Sequence, residues 1–204
     1  MKKYKKFVDH LAEEGWATYP NFISADLVIA LREELTALYD HGEFREAGVG
    51  KGENFKVRPE IRSDRVLWLD PQNLSKLQKQ YWNKINDLRV LFNREFYLGL
   101  KSFEAHFTKY PAGSFYKRHV DQFHQVRYRI LSCLLYLNPD WKASYGGQLR
   151  IYLPDGDGEG GERHVDIIPM AGTLAVFRSE DIPHEVLITE KQRFSITGWM
   201  RNIE

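Results

Sequence analysis

A mainly β domain, a double-sheet barrel of the jelly-roll kind buttressed by about three helices, is predicted by three observations on this 204-residue chain. Residues 100–204 break into short strand-like runs between turn signals. Residues 1–99 carry helical periods instead. No internal repeat or low-complexity linker divides the two parts, and 43% hydrophobic with 14% aromatic residues suffices for a core. One domain is expected over 1–204, with 1–99 as helical support plus a loop and 100–204 as the barrel.

The elements follow in chain order. Phe7, Val8 and Leu11 recur at helical spacing, and Gly15 stops that helix. Ser24 is placed to cap a second helix, whose Leu27, Leu31, Leu35 and Leu38 make an apolar stripe for packing on a sheet. Residues 41–60, rich in Gly, Lys and Glu, read as an exposed loop, and residues 61–69 as a strand edge. A third helix is expected over 73–95, where Leu74, Leu77, Tyr81, Ile85, Leu88 and Phe92 keep close to a 3.6 period. Strands are expected at 102–110, 116–121, 129–137, 148–153, 164–168, 173–177, 185–189 and 193–200. Pro111-Ala112-Gly113, Asn138-Pro139-Asp140, Gly146-Gly147, Ala171-Gly172 and Ile182-Pro183 are among the turns between them. The acidic turn Asp155–Gly161 has the look of a calcium loop but lacks its ligand spacing and terminal Glu, so a solvated hairpin is expected.

Charge narrows the partners. With 29 basic and 28 acidic residues, nothing suggests a nucleic-acid or membrane-surface footprint. No apolar run is long enough to span a bilayer, and no apolar segment follows the basic start to make a signal peptide. The single cysteine, Cys133, excludes an internal disulfide and suits a reducing, cytoplasmic setting.

His119-Val120-Asp121, then His184, then Arg193 nine positions later, carry the chemistry. Alternate strand residues share a face, so His119 and Asp121 would both point into the barrel, and His184 would complete a metal face from a distant strand. Two imidazoles and a carboxylate with open positions suit non-haem Fe(II), though zinc accepts the same ligands in hydrolases. His124 is a rival third ligand by spacing. His10, His41, His106 and His164 show no partner pattern and read as surface or satisfied structural histidines. Arg193 offers a planar fork for a carboxylate, as the distal end of a dicarboxylic 2-oxo acid would require.

The flanking residues make a family likeness. Tyr110–Asp121, Tyr136-Leu137-Asn138-Pro139-Asp140-Trp141, Gly146–Ile151, Pro183–Val186 and Arg193–Trp199 resemble the prolyl 4-hydroxylases, and more narrowly their hypoxia-inducible-factor prolyl hydroxylase branch and its bacterial relatives. Ile61–Trp68 resembles a segment that in this branch precedes a mobile loop over the active site. The likeness covers most of residues 60–200. It implies a double-stranded β-helix using Fe(II), 2-oxoglutarate and O2, with ascorbate as reductant. Residue by residue it implies iron held by His119, Asp121 and His184, and the distal carboxylate of 2-oxoglutarate held by Arg193 and the Tyr136 hydroxyl. Tyr110 would approach the other end of the co-substrate, and Leu134, Leu149, Val186 and Trp199 would line the pocket. For Leu149, Val186 and Trp199 plain barrel core is an equal reading. Charges such as Arg62, Asp64 and Arg129 ordinarily face water, whereas the resemblance places them on the substrate side.

The implied reaction is hydroxylation of a prolyl residue in a protein, with succinate and carbon dioxide as coproducts and an oxygen-responsive regulatory role. A free amino acid, another small molecule or an alkylated base as substrate, or a non-catalytic sensor keeping the same cofactors, stay open. The loop 41–60 is a candidate lid. Two departures from the animal enzymes, a turn before His119 shorter by one residue and the long Asp155–Gly161 insertion, bear on the substrate rather than on the iron chemistry.

Overall fold

The structure, a computed structural model, describes residues 2–50, 55–122, 127–155 and 161–204. The first helix, α1 (Lys5–Glu14), ends at Gly15, whose φ of 76° is open to glycine at little strain. Directly after it β1 (Trp16–Tyr19) forms, an element absent from the sequence expectation of two helices over residues 4–40. Ser24 caps α2 (Ala25–Asp40) by accepting from the Leu27 N–H at 3.3 Å. The leucine stripe is buried at Leu27, Leu31 and Leu35. Two short strands, β2 (Arg45–Glu46) and β3 (Arg65–Trp68), precede α3 (Lys76–Phe96). Ser75 and Gln78 close a reciprocal capping box at the start of α3, while Tyr81, Ile85, Leu88 and Phe92 form its buried face.

The remaining strands are β4 (Ser102–Tyr110), β5 (Tyr116–His119), β6 (Arg129–Tyr136), β7 (Leu149–Pro154), β8 (Glu162–Ile167), β9 (Leu174–Arg178), β10 (His184–Val186) and β11 (Arg193–Arg201). They make a seven-stranded sheet in the order β1-β9-β6-β11-β4-β3-β2, facing a four-stranded sheet β5-β10-β7-β8. All ladder pairings are antiparallel. This is the expected double-stranded β-helix backed by three helices, with one correction: residues 1–99 also give the large sheet three of its strands.

Strand alternation builds two cores from one sheet. Phe103, Ala105 and Phe107 of β4, Leu131, Cys133 and Leu135 of β6, and Phe194, Ile196 and Met200 of β11 turn towards the helices. Tyr110, Leu134 and Tyr136 turn the other way and pack with Leu149, Ile151 and Val186 of the small sheet. The helix side therefore fixes the sheet, and the other side is left to form a site. Asp155 and Gly161 close the β7–β8 hairpin through a 2.9 Å backbone bond, and the rest of the calcium-like turn lies outside the described residues.

Candidate active site

His119 and His184 are opposite one another in the β5–β10 ladder. Asp121 does not continue strand β5 as expected; it stands two residues past His119, beyond the end of β5. The triad converges all the same, with one ligand atom from each of His119, Asp121 and His184 within 4.8 Å of the others. His119 Nε2 lies 3.5 Å from one Asp121 oxygen, and His184 Nε2 lies 3.6 Å from the other. The opposite ring nitrogens explain the orientation. Nδ1 of His119 is 2.8 Å from the Lys117 carbonyl and Nδ1 of His184 is 3.1 Å from that of Ile182. A carbonyl only accepts, so both Nδ1 atoms carry the proton and both Nε2 lone pairs face the centre. His124, the rival ligand, lies outside the described residues.

The Asp121 carboxylate is 7% exposed and accepts from Ser132 Oγ at 2.6 Å, which is itself 2.8 Å from Ser179 Oγ. Burial pushes its pKa up, but His184, His119 and the Ser132 hydroxyl outweigh this and hold it well below the usual carboxylate range. Burial, with the adjacent His119, lowers His184 to about 4. With both Nε2 atoms and the Asp121 carboxylate turned to one centre, the three groups offer the donor set that a divalent iron takes.

Arg193 is wholly buried. Its Nε donates to the Gly147 carbonyl at 2.8 Å and its Nη1 to Ser195 Oγ at 3.5 Å. Among the described residues its Nη2 has no partner, and neither has the buried hydroxyl of Tyr136. The Tyr136 and Tyr110 rings flank the guanidinium at 5.1 and 5.0 Å. Burial raises the Tyr136 phenol to about 12, so it stays a donor. Two unpartnered buried donors beside one cation are what a carboxylate would satisfy. Gly147, with φ 67°, allows the approach: a Cβ there would stand 3.1 Å from Arg193 Cδ.

A cavity of about 1320 Å³ joins the two features. Tyr110, Leu134, Leu149, Val186 and Trp199 line it, as do the triad and Arg193. Tyr136 is not among the lining residues, although its ring stands 5.1 Å from the guanidinium of Arg193, which is one of them. Arg62 and Arg129 also reach the cavity, but Asp64 does not. Arg62 and Arg129 thus stand where the family likeness implied rather than in open water, while Asp64, 1% exposed, departs from it and holds Arg62 by bonds of 2.7 and 2.5 Å. Arg62 covers the Tyr116 ring at 4.2 Å, and Tyr116 stacks on His119 at 3.6 Å. Asp64 is therefore a support for the wall rather than part of it. Arg129 lies 3.6 Å over Trp199 and pairs with Glu104.

Sequence reasoning missed Ser132, Ser179 and His106. Ser132 was within reach, because it shares a strand face with Leu134 and Tyr136. Ser179 carries no local signal.

Residues 105–201 match the family model of the 2OG-Fe(II) oxygenase superfamily. The chain is similar to the crystal structure of a Pseudomonas putida prolyl-4-hydroxylase, with 40% identity, 98% of each chain covered and a TM-score of 0.83. It is also similar to a prolyl hydroxylase from Trichoplax adhaerens in complex with a hypoxia-inducible-factor oxygen-degradation-domain peptide, at 26% identity and a TM-score of 0.85, covering 98% of this chain and 90% of that one. The chain belongs to the 2OG-Fe(II) oxygenase superfamily, and within it to the prolyl-hydroxylase family. In sequence it is 29% identical over 93% of its length to a Caenorhabditis elegans hypoxia-inducible factor prolyl hydroxylase, of which it spans only 27%.

Proposed function

We propose that the protein is an Fe(II)- and 2-oxoglutarate-dependent dioxygenase that hydroxylates a prolyl residue of a protein substrate, giving 4-hydroxyproline, succinate and carbon dioxide. The observation that carries this is the pairing of a His119–Asp121–His184 triad with the unpartnered donors of Arg193 and Tyr136. Iron with 2-oxoglutarate supplies the oxidising power for breaking a C–H bond. The chain's own residues do the rest. His119, Asp121 and His184 hold the metal, and Ser132 orients the carboxylate by its hydrogen bond. Arg193 and Tyr136 take the distal carboxylate, with Tyr110 alongside. Leu134, Leu149 and Val186 keep water from the reacting atoms.

The cavity extends past the triad to Trp68, Arg129 and Trp199 and to residues 45–50 and Phe55, leaving room for an extended peptide across its mouth. That segment supports the lid reading, although residues 51–54 lie outside the described residues. Unchanged limited proteolysis of 41–60 on adding substrate would remove it. Ascorbate as reductant and a cytoplasmic setting belong to the same proposal. The deciding experiment is mass spectrometry of cell protein with and without this chain, reading a one-oxygen mass gain on proline. No such site, together with turnover of free amino acids, would move the substrate to a small molecule.

A further inference from the structure

His106 and Trp199 stand side by side in the cavity wall, where the reading above uses Trp199 only as a wall and His106 not at all. Trp199 is 6% exposed, yet its Nε1 is buried with no hydrogen-bond partner among the described residues. A buried N–H left so costs about 1–3 kcal/mol, and in native proteins such an atom asks for a reason. Arg129 covers one part of the indole, and the Trp68 and His106 rings lie 6.0 and 5.5 Å away. None of these gives the N–H an acceptor.

His106 supplies the complementary group. It is 4% exposed, and its Nδ1 lies 2.9 Å from Thr108 Oγ1 and 3.3 Å from the Phe107 carbonyl. Thr108 Oγ1 donates to Thr197 Oγ1 at 3.2 Å. A hydroxyl has one proton, so towards His106 Thr108 can only accept, as can the carbonyl. Two acceptors at Nδ1 put the ring proton there and leave Nε2 as a bare lone pair. Nε2 has no hydrogen-bond partner among the described residues. Burial, aided by the charge of Arg62, lowers the pKa of His106 to about 3, so the ring is neutral when the protein works. The ladder sets the spacing: His106 pairs with Thr197, two residues before Trp199 on the same face of β11. Both side chains line the cavity.

We propose that His106 and Trp199 form a backbone-reading subsite, in which the Trp199 indole N–H donates to a carbonyl of the bound peptide and His106 Nε2 accepts an amide N–H. An extended residue turns its own N–H and C=O to one edge, as strand pairing requires, so a single residue can meet both groups. The subsite reads main chain rather than side chain, and it holds the substrate on the Trp68 side of the cavity. It rests on the reading of the substrate as a peptide.

The test uses the full chain loaded with Zn(II), as a diamagnetic metal, and 2-oxoglutarate. The probes are the capped peptide Ac-Ala-Ala-Pro-Ala-Ala-NH2 and its analogues methylated at one amide nitrogen. Nitrogen NMR should find His106 protonated at Nδ1 before peptide is added, and the Trp199 indole N–H should move downfield on binding. His106→Phe and Trp199→Phe should each raise the peptide Kd about tenfold, the worth of roughly one hydrogen bond. For His106→Phe the Kd for 2-oxoglutarate should stay within about twofold. Methylating one particular amide should weaken wild type by a similar factor and His106→Phe no further. A proton on Nε2 overturns the proposal, and so do variants that bind peptide as tightly as wild type. If wild type binds no proline peptide at all, the prolyl reading fails and takes the subsite with it.

Discussion

On the helix side of the large sheet, Phe103, Phe107, Leu135 and Ile196 meet Leu31, Leu35, Ile85 and Phe92 in an apolar core. On the other side the alternate residues of the same strands are Tyr110, Ser132, Tyr136, Arg193, Ser195 and Trp199, all buried as well. Three buried polar atoms without partners among the described residues, Tyr136 OH, Arg193 Nη2 and Trp199 Nε1, belong to these cavity-side residues. Tyr81 OH is the corresponding atom among the helix-side residues named above and α3. One face closes on itself through shape. The other keeps donors that nothing in the described chain satisfies, at a cost in stability that a bound ligand can offset. Stability and chemistry are thus divided between odd and even positions of the same strands.

That division can be broken from either side. The largest effect is expected from Asp121→Ala: metal affinity and succinate formation should fall on the order of 100-fold or more, beyond what loss of a supporting residue does. Calorimetric titration with Mn(II) checks it, and a loss below about tenfold would contradict the ligand assignment. On the helix side, Phe92→Ala should destabilise by about 3–5 kcal/mol through an unfilled cavity, read by denaturant unfolding, with activity per folded molecule retained. Arg193→Met should weaken 2-oxoglutarate about 100-fold, within the range for truncating one partner of a buried charge pair. Its melting temperature should not fall, because an incompletely bonded buried cation is removed. Ser132→Ala should lower metal affinity about tenfold, as losing a hydrogen bond to a ligand does; unchanged affinity would make that serine a packing residue only.

One further effect, confined to acid pH, sharpens the comparison. His106 is held at about 3 in the fold against 6.5 when free. Between those values the unfolded chain binds the extra proton, so stability rises with pH there. The contribution is present in full above 6.5, and is lost as pH falls towards 3. Replacing His106 by Met should flatten the dependence of unfolding free energy on pH in that window. An unchanged slope would show that the ring is not buried neutral.

Much of this was legible beforehand because periodicity is local. The α2 leucines, the α3 stripe and the alternation through β4, β6 and β11 each follow from one segment's own spacing. β1 escaped because its four residues lie between two helices and take their identity from pairing with β9. The triad and Arg193 were legible as residue types in order, with the family likeness to give them roles. Arg62, Asp64 and Arg129 read two ways, since a charge in a strand usually faces water while the family likeness put all three on the substrate side. Distant partners and an enclosing wall decided it, with Arg62 and Arg129 at the cavity and Asp64 paired to Arg62 away from it. Asp121 misled in a smaller way, its direction coming from the chain's course past β5 and not from strand alternation.

By itself, then, the order of residues determined the class of fold, the alternation that separates two cores, and the chemical types gathered for iron and a dicarboxylate. Tertiary structure alone decided that Asp64 lies behind the wall, that Ser132 and Ser179 back the carboxylate, and which nitrogen of His106 carries its proton. The reason is physical: a side chain's type and period are properties of its own segment, whereas burial, pairing and tautomer are set by atoms that arrive from elsewhere in the chain.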